Sequence, residues 1–434
     1  MRRLSVGDLM TIWSDVPSAP TNVGLAAVLT GDRLLDERGR LRLDLARAAI
    51  EARLVPELRR RIRFTRPGQG RPLWIDDSGF RIERHVVADH LPAGQSFPSW
   101  AATLAARPLD RRCPLWRITL VTGLPERQVG LVLVAHHAMA DGIEAGRIAV
   151  ALLDPAPAVP VAYRPGVEPT GWALIRDAAA RRMVAAWRFL GMWKGRHRLS
   201  RELGDGFRAI RAPAPALGLP VPDGPARRLE ICSWPLAEVR DIAHSHGVTI
   251  NDLVLAGVAA GLRRMLPDAD GLTVRVSIPM AAPPGQHNTA NTPPIVIGLP
   301  LGEPNLHRIS EQTRAAKASR ERRRPGLTSS ELVPRCLVHL ATWWLRGHAG
   351  KRINLYVTNV PGPTQPLALA GADVRAAYPI PPLIAGVPIA VGALSYRGTL
   401  SIAVNGDPRL DLTGFTEGVR AAVSGLGRYP LVRT

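Results

Sequence analysis

Two proline-rich joints limit how this chain can fold, one from Pro155 to Pro169 and the other from Ala212 to Pro225. Proline fixes φ and removes a backbone donor, so neither stretch continues a helix or a central strand. The 434 residues exceed one ordinary core, and cores of about 150–200 residues are expected. The chain therefore divides into residues 1–154, a linker at 155–225 carrying a basic amphipathic helix, and a second domain at 226–434.

Helical and extended periodicities alternate on both sides of the joints. The β-branched, apolar run Val23 to Leu29 predicts a buried strand, Asp44 to Leu58 a helix, and Phe64 to Trp74 a turn-rich basic segment. A strand from Val129 to Ala135 delivers the chain to His136, and a helix from Ile143 to Leu153 follows, stopped by Asp154-Pro155. In the last half, helices are expected at Pro235 to His246, Asn251 to Met265, Arg308 to Arg324 and Leu412 to Leu426. Strands are expected at Val274 to Pro279, Ile353 to Thr358, Ile389 to Tyr396 and Thr399 to Val404. Such alternation predicts an α/β chain of two α+β layered units facing one another.

Between the joints, from Trp172 to Arg211, Ile175, Met183, Val184, Trp187 and Leu190 interleave with Arg176, Arg181, Arg182, Arg188, Lys194, Arg196 and Arg198. A basic amphipathic helix of this kind can lie in a headgroup layer or pack its apolar face on the protein body. Both readings stay open. The net charge of +20 favours anionic partners such as phospholipid headgroups or the phosphates of coenzyme A. Nucleic acid is not among the expected partners, because the cations are scattered and aromatics make up only 5% of the chain. The uncharged stretch from Ala376 to Tyr396 is not expected to span a membrane, since it contains Pro379, Pro381, Pro382 and Pro388. Met1-Arg2-Arg3 leads into Asp8, not into an apolar leader. Cys113, Cys232 and Cys336 form neither a ligand cluster nor a disulfide framework. A cytoplasmic protein with peripheral lipid contact is expected.

The chemistry concentrates in His136-His137-Ala138-Met139-Ala140-Asp141-Gly142. A strand end presents side chains to a cleft from a fixed scaffold. A neutral imidazole there can take the proton of an attacking alcohol, since its ordinary pKa of about 6.5 lies near working pH. Asp141 sits where it can orient His137 or tie down the loop, and Gly142 permits a sharp turn. Three other readings compete: a core histidine, a metal site built from His136, His137 and Asp141, and chance. Adjacent residues on a strand point to opposite faces, which costs the metal reading one ligand. No G-x-S-x-G elbow, phosphate loop or dinucleotide fingerprint is present. Without a positioned Ser or Cys nucleophile, direct transfer is favoured over an acyl-enzyme.

The segment fits H-H-x-x-x-D-G, shared by coenzyme A-dependent acyltransferases and peptide-synthetase condensation domains. Further motifs surround it: Arg107-Pro108-Leu109-Asp110, Pro114-Leu115-Trp116, Asn251-Asp252, and Thr358-Asn359-Val360-Pro361-Gly362-Pro363. With the stretches Leu4 to Gly24, Arg71 to His85 and Tyr378 to Asn405, the chain resembles the bacterial wax ester synthase/diacylglycerol acyltransferase family over almost its whole length.

The resemblance implies two chloramphenicol-acetyltransferase-like domains with the histidine loop at their interface. It implies His137 as general base, His136 in support, and Asp141 as a structural acid. It assigns Pro114, Leu115, Trp116, Asn251 and Asp252 to the acyl channel and the shape of the site. Thr358 and Asn359 are candidates to stabilise the oxyanion, with an ordinary tight turn as the alternative for that segment. Acyl-CoA is the expected co-substrate, diacylglycerol or a long-chain alcohol the acceptor, and no bound cofactor or metal is expected. The expected location is at the inner membrane or on lipid inclusions. One departure is Ala290-Asn291, where the family has Gly-Asn. Two alternatives are a condensation-type enzyme using carrier-protein thioesters and a non-catalytic lipid-binding homologue.

Overall fold

The computed structural model describes residues 1–140, 142–153, 163, 165–192, 213–266, 268, 271–279, 294–302, 306–321 and 335–428. Asp141, Ala290-Asn291, most of the first proline-rich joint, residues 193–212 of the basic block and residues 322–324 lie outside them.

Two six-stranded sheets carry the fold. In the first the order is β12 (Ala368–Leu369), β13 (Ala372–Ile380), β2 (Asn22–Leu29), β7 (Val129–His136), β6 (Trp116–Thr122) and β5 (Val86–His90). In the second it is β10 (Ile295–Pro300), β9 (Thr273–Ile278), β11 (Leu355–Val360), β14 (Ile389–Tyr396), β15 (Thr399–Gly406) and β8 (Arg228–Pro235). Both are mixed: β5–β6, β11–β14 and β11–β9 are parallel and the other pairs antiparallel. A three-stranded sheet of β1 (Arg2–Arg3), β4 (Leu73–Asp76) and β3 (Arg60–Arg63) flanks the first.

β7 shows why this sequence makes a central strand. All eight residues are buried, so both faces must be covered, as an unbroken apolar run requires. Val129, Leu131, Leu133 and Ala135 pack into one core with α2 (Leu43–Glu51) and α4 (Gly142–Leu152). Val132 and Val134 face the other way, against α3 (Phe97–Ala105). The two-residue period sorts the side chains between these cores. A side chain at Gly130 would collide with the ring of Phe97, so that position must be bare.

The second domain is built around α7 (Ile250–Met265) and α10 (Leu412–Arg428), packed together over the second sheet, with α6 (Leu236–Ser245) and α8 (Leu306–Glu321) beside them.

The structure corrects the division into three consecutive segments. β13 pairs antiparallel with β2, Tyr378 opposite Ala26, so residues 368–380 complete the first sheet. The end of β14 follows: Leu394 and Tyr396 lie in the first core, and the Tyr396 hydroxyl donates to Val374 O at 3.2 Å. The linker is also divided. α5 (Gly171–Met192) docks on the three-stranded sheet through Leu174 and an Arg3–Asp177 ion pair of 2.9 Å. Residues 213–219 run along the second domain, where Ala214 N–H donates to Lys351 O at 2.8 Å.

Local corrections have simple causes. The helix expected over Asp44 to Leu58 ends at Glu51, and Pro56 opens a separate 3-10 turn. The strand expected at Ile353 starts at Leu355. Several elements were not anticipated: α1 (Val6–Ser14), α3, β5, β6, β8, α9 (Arg335–His348) and β13.

The domains meet across α3. Ser99 on α3 exchanges hydrogen bonds with the backbone of Leu229 on β8, and Leu229, Ile380 and Ala403 pack with Phe97 and Val134.

Candidate active site

β7 ends at His136, paired with Asn22 on β2. The chain then turns: His136 N–H donates to Leu115 O and His137 N–H to Thr21 O, both at 2.9 Å, while Met139 and Ala140 N–H return to His136 O. Backbone on both sides therefore holds the two histidines.

Their environments differ. His136 is 3% exposed, and its Nε2 lies 2.9 Å from Asp15 Oδ2. Its Nδ1 accepts from Ala138 N–H at 3.1 Å, which places the proton on Nε2, donated to Asp15. Both ring nitrogens are occupied, so the metal reading loses His136 as a ligand. His137 is half-buried at the turn.

Asp15 is the centre of a network missing from the sequence reading. It accepts from Thr21 N–H at 2.7 Å, from the Thr21 hydroxyl, from His136 and from Arg111 at 3.1 Å. Burial alone pushes this carboxyl up, but the hydrogen bonds from His136 and Thr21 outweigh it and hold it below its ordinary value. Thr21, whose carbonyl holds His137, is thereby tied to the acid that holds His136.

α1 precedes this loop and is closed by a capping box: Asp8 N–H donates to Ser5 Oγ at 3.0 Å and Ser5 N–H to Asp8 Oδ2 at 2.8 Å. Asp8 is 6% exposed. Burial pushes its carboxyl up against the lowering pull of the Ser5 hydrogen bonds and of nearby Arg2 and His137. The only sequence signal for these acids was the Leu4 to Gly24 stretch, which gave neither a role.

The other expected site residues fall into two groups. Leu115 gives its carbonyl to His136 and packs with Ala138. Trp116 is a core residue: its Nε1–H donates to Leu58 O at 2.7 Å and its ring stacks on His85 at 4.5 Å. Burial lowers the His85 imidazole, which bonds Trp116 O at 2.9 Å, so His85 is a structural histidine. Pro114-Leu115-Trp116 thus anchors the histidine strand, with Trp116 buried in the core beneath it.

Asp252 also serves the scaffold. It closes a capping box with Thr249 at the head of α7 and accepts from the Thr313 hydroxyl of α8 at 2.7 Å. Both oxygens are engaged and the side chain is 2% exposed, so it bolts two helices together. Asn251 is half-buried beside it in the same first turn.

Thr358 and Asn359 lie near the end of β11, half-buried, opposite Gly392 and Ala393. β11 contacts α4, the helix that follows the histidine turn, and Val360 at the end of β11 packs on the first core. The Pro-Gly segment that follows passes so close to β14 that a Cβ at Gly362 would strike Ser395 O. Gly142 opens α4.

Between the sheets runs a narrow crevice lined in part by Pro20, Asn22, Arg227, Pro381 and Asn405. Arg227, 5% exposed, reaches across it to Ser18 O, in the loop between Asp15 and Thr21. The amide groups of Asn22 and Asn405 donate to Ala105 O and Pro381 O, and their Oδ1 atoms are buried with no partner among the described residues.

A family model described as the wax ester synthase/diacylglycerol acyltransferase catalytic domain matches residues 4–254, and the WS/DGAT C-terminal domain matches residues 295–418. The chain belongs to this family. It is an acyltransferase of the wax ester synthase/diacylglycerol acyltransferase type. A putative diacylglycerol O-acyltransferase of Mycobacterium tuberculosis is 30% identical over 94% of this chain and 92% of its own length. A probable diacylglycerol O-acyltransferase of the same species is 28% identical over 87% of each chain. Among solved structures, the wax ester synthase/diacylglycerol acyltransferase from Marinobacter aquaeolei VT8 superposes with a TM-score of 0.67 at 21% identity, covering 98% of both chains. The first condensation domain of the calcium-dependent antibiotic synthetase gives a TM-score of 0.58 at 18% identity, covering 99% of this chain and 98% of that one. At these identities the structural likeness establishes the fold, the paired chloramphenicol-acetyltransferase-like arrangement expected from the motifs.

Proposed function

We propose that this family member moves a long-chain acyl group from acyl-CoA to the hydroxyl of diacylglycerol, forming triacylglycerol, and also to long-chain alcohols, forming wax esters. The observation that carries the reading is that His136, with both ring nitrogens engaged, is not available as the base. His136 is locked to Asp15 and Ala138, while His137 is half-buried at the turn, held by its own backbone bond to Thr21.

In this reading His137 takes the hydroxyl proton as the acceptor oxygen attacks the thioester carbonyl carbon. The tetrahedral intermediate collapses with cleavage of the C–S bond. The departing thiolate recovers the proton from the imidazolium, so ester and free coenzyme A leave and the histidine is neutral again. Acyl-CoA is consumed as co-substrate, and the reaction so written needs no bound cofactor or metal. Asp141 is assigned to holding the loop and Gly142 to its geometry.

Thr358 and Asn359 are assigned to the oxyanion, because β11 contacts α4, the helix that follows the histidine turn, and Val360 at its end packs on the first core. Asn359→Ala is expected to lower kcat about tenfold with KM little changed, since Thr358 shares the task. Unchanged kcat in steady-state kinetics removes Asn359 from this role.

The test of the reaction is a transfer assay with labelled palmitoyl-CoA, offering diacylglycerol and hexadecanol separately. Labelled triacylglycerol or wax ester is the expected product. Folded protein that releases no ester with either alcohol overturns the proposed acceptors.

A further inference from the structure

α5 and α9 present the wrong residues to water. α5 buries Leu174 and Ala178, and α9 buries Val338 and Thr342, one turn apart in each case. The opposite face of a water-facing helix is normally polar. Here Trp172, Met183 and Trp187 of α5 are 72%, 64% and 76% exposed. On α9, Leu337, Leu340 and Trp343 are 55%, 59% and 59% exposed. These two helices carry eight of the fourteen large apolar side chains that stand exposed among the described residues.

The helices flank a single loop. Arg335, at the head of α9, donates to Thr65 O at 3.2 Å and to Gly70 O at 3.3 Å. Ala178 of α5 sits against Gly70, its methyl 3.0 Å from where a Cβ there would stand. Arg3 fastens the arrangement, donating to Gln69 O and Arg71 O in the loop and to Asp177 and Leu174 O in α5.

We propose that the outward faces of α5 and α9 form a docking surface for an anionic phospholipid bilayer, with the tryptophans at headgroup depth and the arginines on phosphates. The charge pattern selects this occupant. Arg176 and Arg182 are exposed among the apolar side chains of α5. The sequences of both helices contain a single acid, Asp177, which Arg3 and Arg181 hold at 2.9 and 3.1 Å. Apolar area rich in Trp, beside Arg176 and Arg182 with no acidic partner among the described residues, matches an anionic headgroup layer. A second copy of the chain would set arginine against arginine, which disfavours self-pairing. Neither helix is long and apolar enough to cross a bilayer, so they lie on it.

The surface is also close to the chemistry. Val338, on the inner side of α9, shares a small core with Leu9, Leu115 and Ala138, and Trp13 of α1 meets His339 edge-on at 5.1 Å. One helix, α1, separates the docking face from the histidine turn. Delivery of a lipid acceptor from that side rests on the proposed reaction; the docking does not.

The test is flotation of the full chain with vesicles of phosphatidylglycerol and phosphatidylcholine, and with phosphatidylcholine alone. The natural protein is expected to partition at least about tenfold more strongly into the anionic vesicles. Trp187→Glu combined with Trp343→Glu is expected to lose at least about tenfold in that partitioning, with transfer of palmitoyl groups to a dissolved short-chain alcohol unchanged. If the glutamate pair does not fold by circular dichroism, Trp187→Ala with Trp343→Ala takes its place, with a loss of about threefold expected. Undiminished vesicle binding by the folded double variant overturns the proposal. So does sedimentation showing that the natural protein dimerises through this face and the variant does not, with vesicle binding equal. Strong vesicle binding by a natural protein that transfers no acyl group to any alcohol leaves the docking surface standing and sinks the reaction instead.

Discussion

Replacing His137 by alanine is expected to lower acyl transfer by at least about a hundredfold, the usual scale for removing a general base. The loss should fall on kcat, because in the proposed reaction the imidazole acts on the proton that moves in the transition state. Stability should change little by comparison. His137 is half-buried, and alanine retains the backbone N–H that it donates to Thr21 O. His136→Ala is a different experiment. It strips Asp15 of a 2.9 Å partner and Ala138 N–H of its acceptor, so both stability and rate should fall. Transfer of labelled palmitate to diacylglycerol, measured beside thermal unfolding, separates the two. Equal rate losses with equal destabilisation would show that the pair works as one structural unit and that His137 is not the base.

How far the sequence reveals this site depends on chain distance. The histidine pair was legible because its signal is local: an apolar strand, two imidazoles at its end, then an acid and a glycine ahead of a helical periodicity. The network behind it was not. Asp15 meets His136 across 121 residues, and Arg227 meets Ser18 across 209; periodicity reports neither. Trp116 and Asp252 show a different limit. Each sits in a motif associated with the site, yet one fills the core beneath Leu58 O and the other caps a helix. A motif marks residues that matter without saying whether they touch substrate or hold the scaffold.

The fold shows the same limit. Strands β2, β7, β14 and β15 could be read from their apolar runs, because burial on both faces leaves an unmistakable composition. Nothing in Ala372 to Ile380 says which sheet it joins, and it crosses to the first. Pairing partners are chosen by packing of whole layers, which a single strand's pattern does not encode. α5 was legible as an amphipathic helix with two open readings; in the structure Leu174 and Ala178 dock on the body while Trp172 and Trp187 stand outward.

Asp15→Asn is expected to cost about 2–3 kcal/mol of stability, the scale for breaking a charge-assisted, partly buried network, and to slow acyl transfer at least about tenfold. The argument rests on donors. Oδ1 accepts from Thr21 N–H and its hydroxyl, and Oδ2 accepts from His136 Nε2 and Arg111. An asparagine must turn its NH₂ toward one of these sets, and either choice sets donor against donor. The His136 tautomer cannot relax to accept, because Ala138 N–H already occupies Nδ1. The damage then passes through Thr21 and the turn to His137, so Asp15 acts as a positioning residue. The pH dependence identifies the carboxylate. Its pKa in the fold lies below the ordinary value of 3.8, so its stabilisation is complete above that value and is lost as pH falls through the folded pKa. Asp8, raised by burial, has the opposite sign: its cost grows as pH rises from the ordinary value through the folded one, and acid relieves it. Urea unfolding of the natural protein and of Asp15→Asn should therefore differ most near neutrality and converge as the pH falls below about 4. A constant difference across that range would show that the carboxylate charge contributes nothing, and that the loss comes from packing alone.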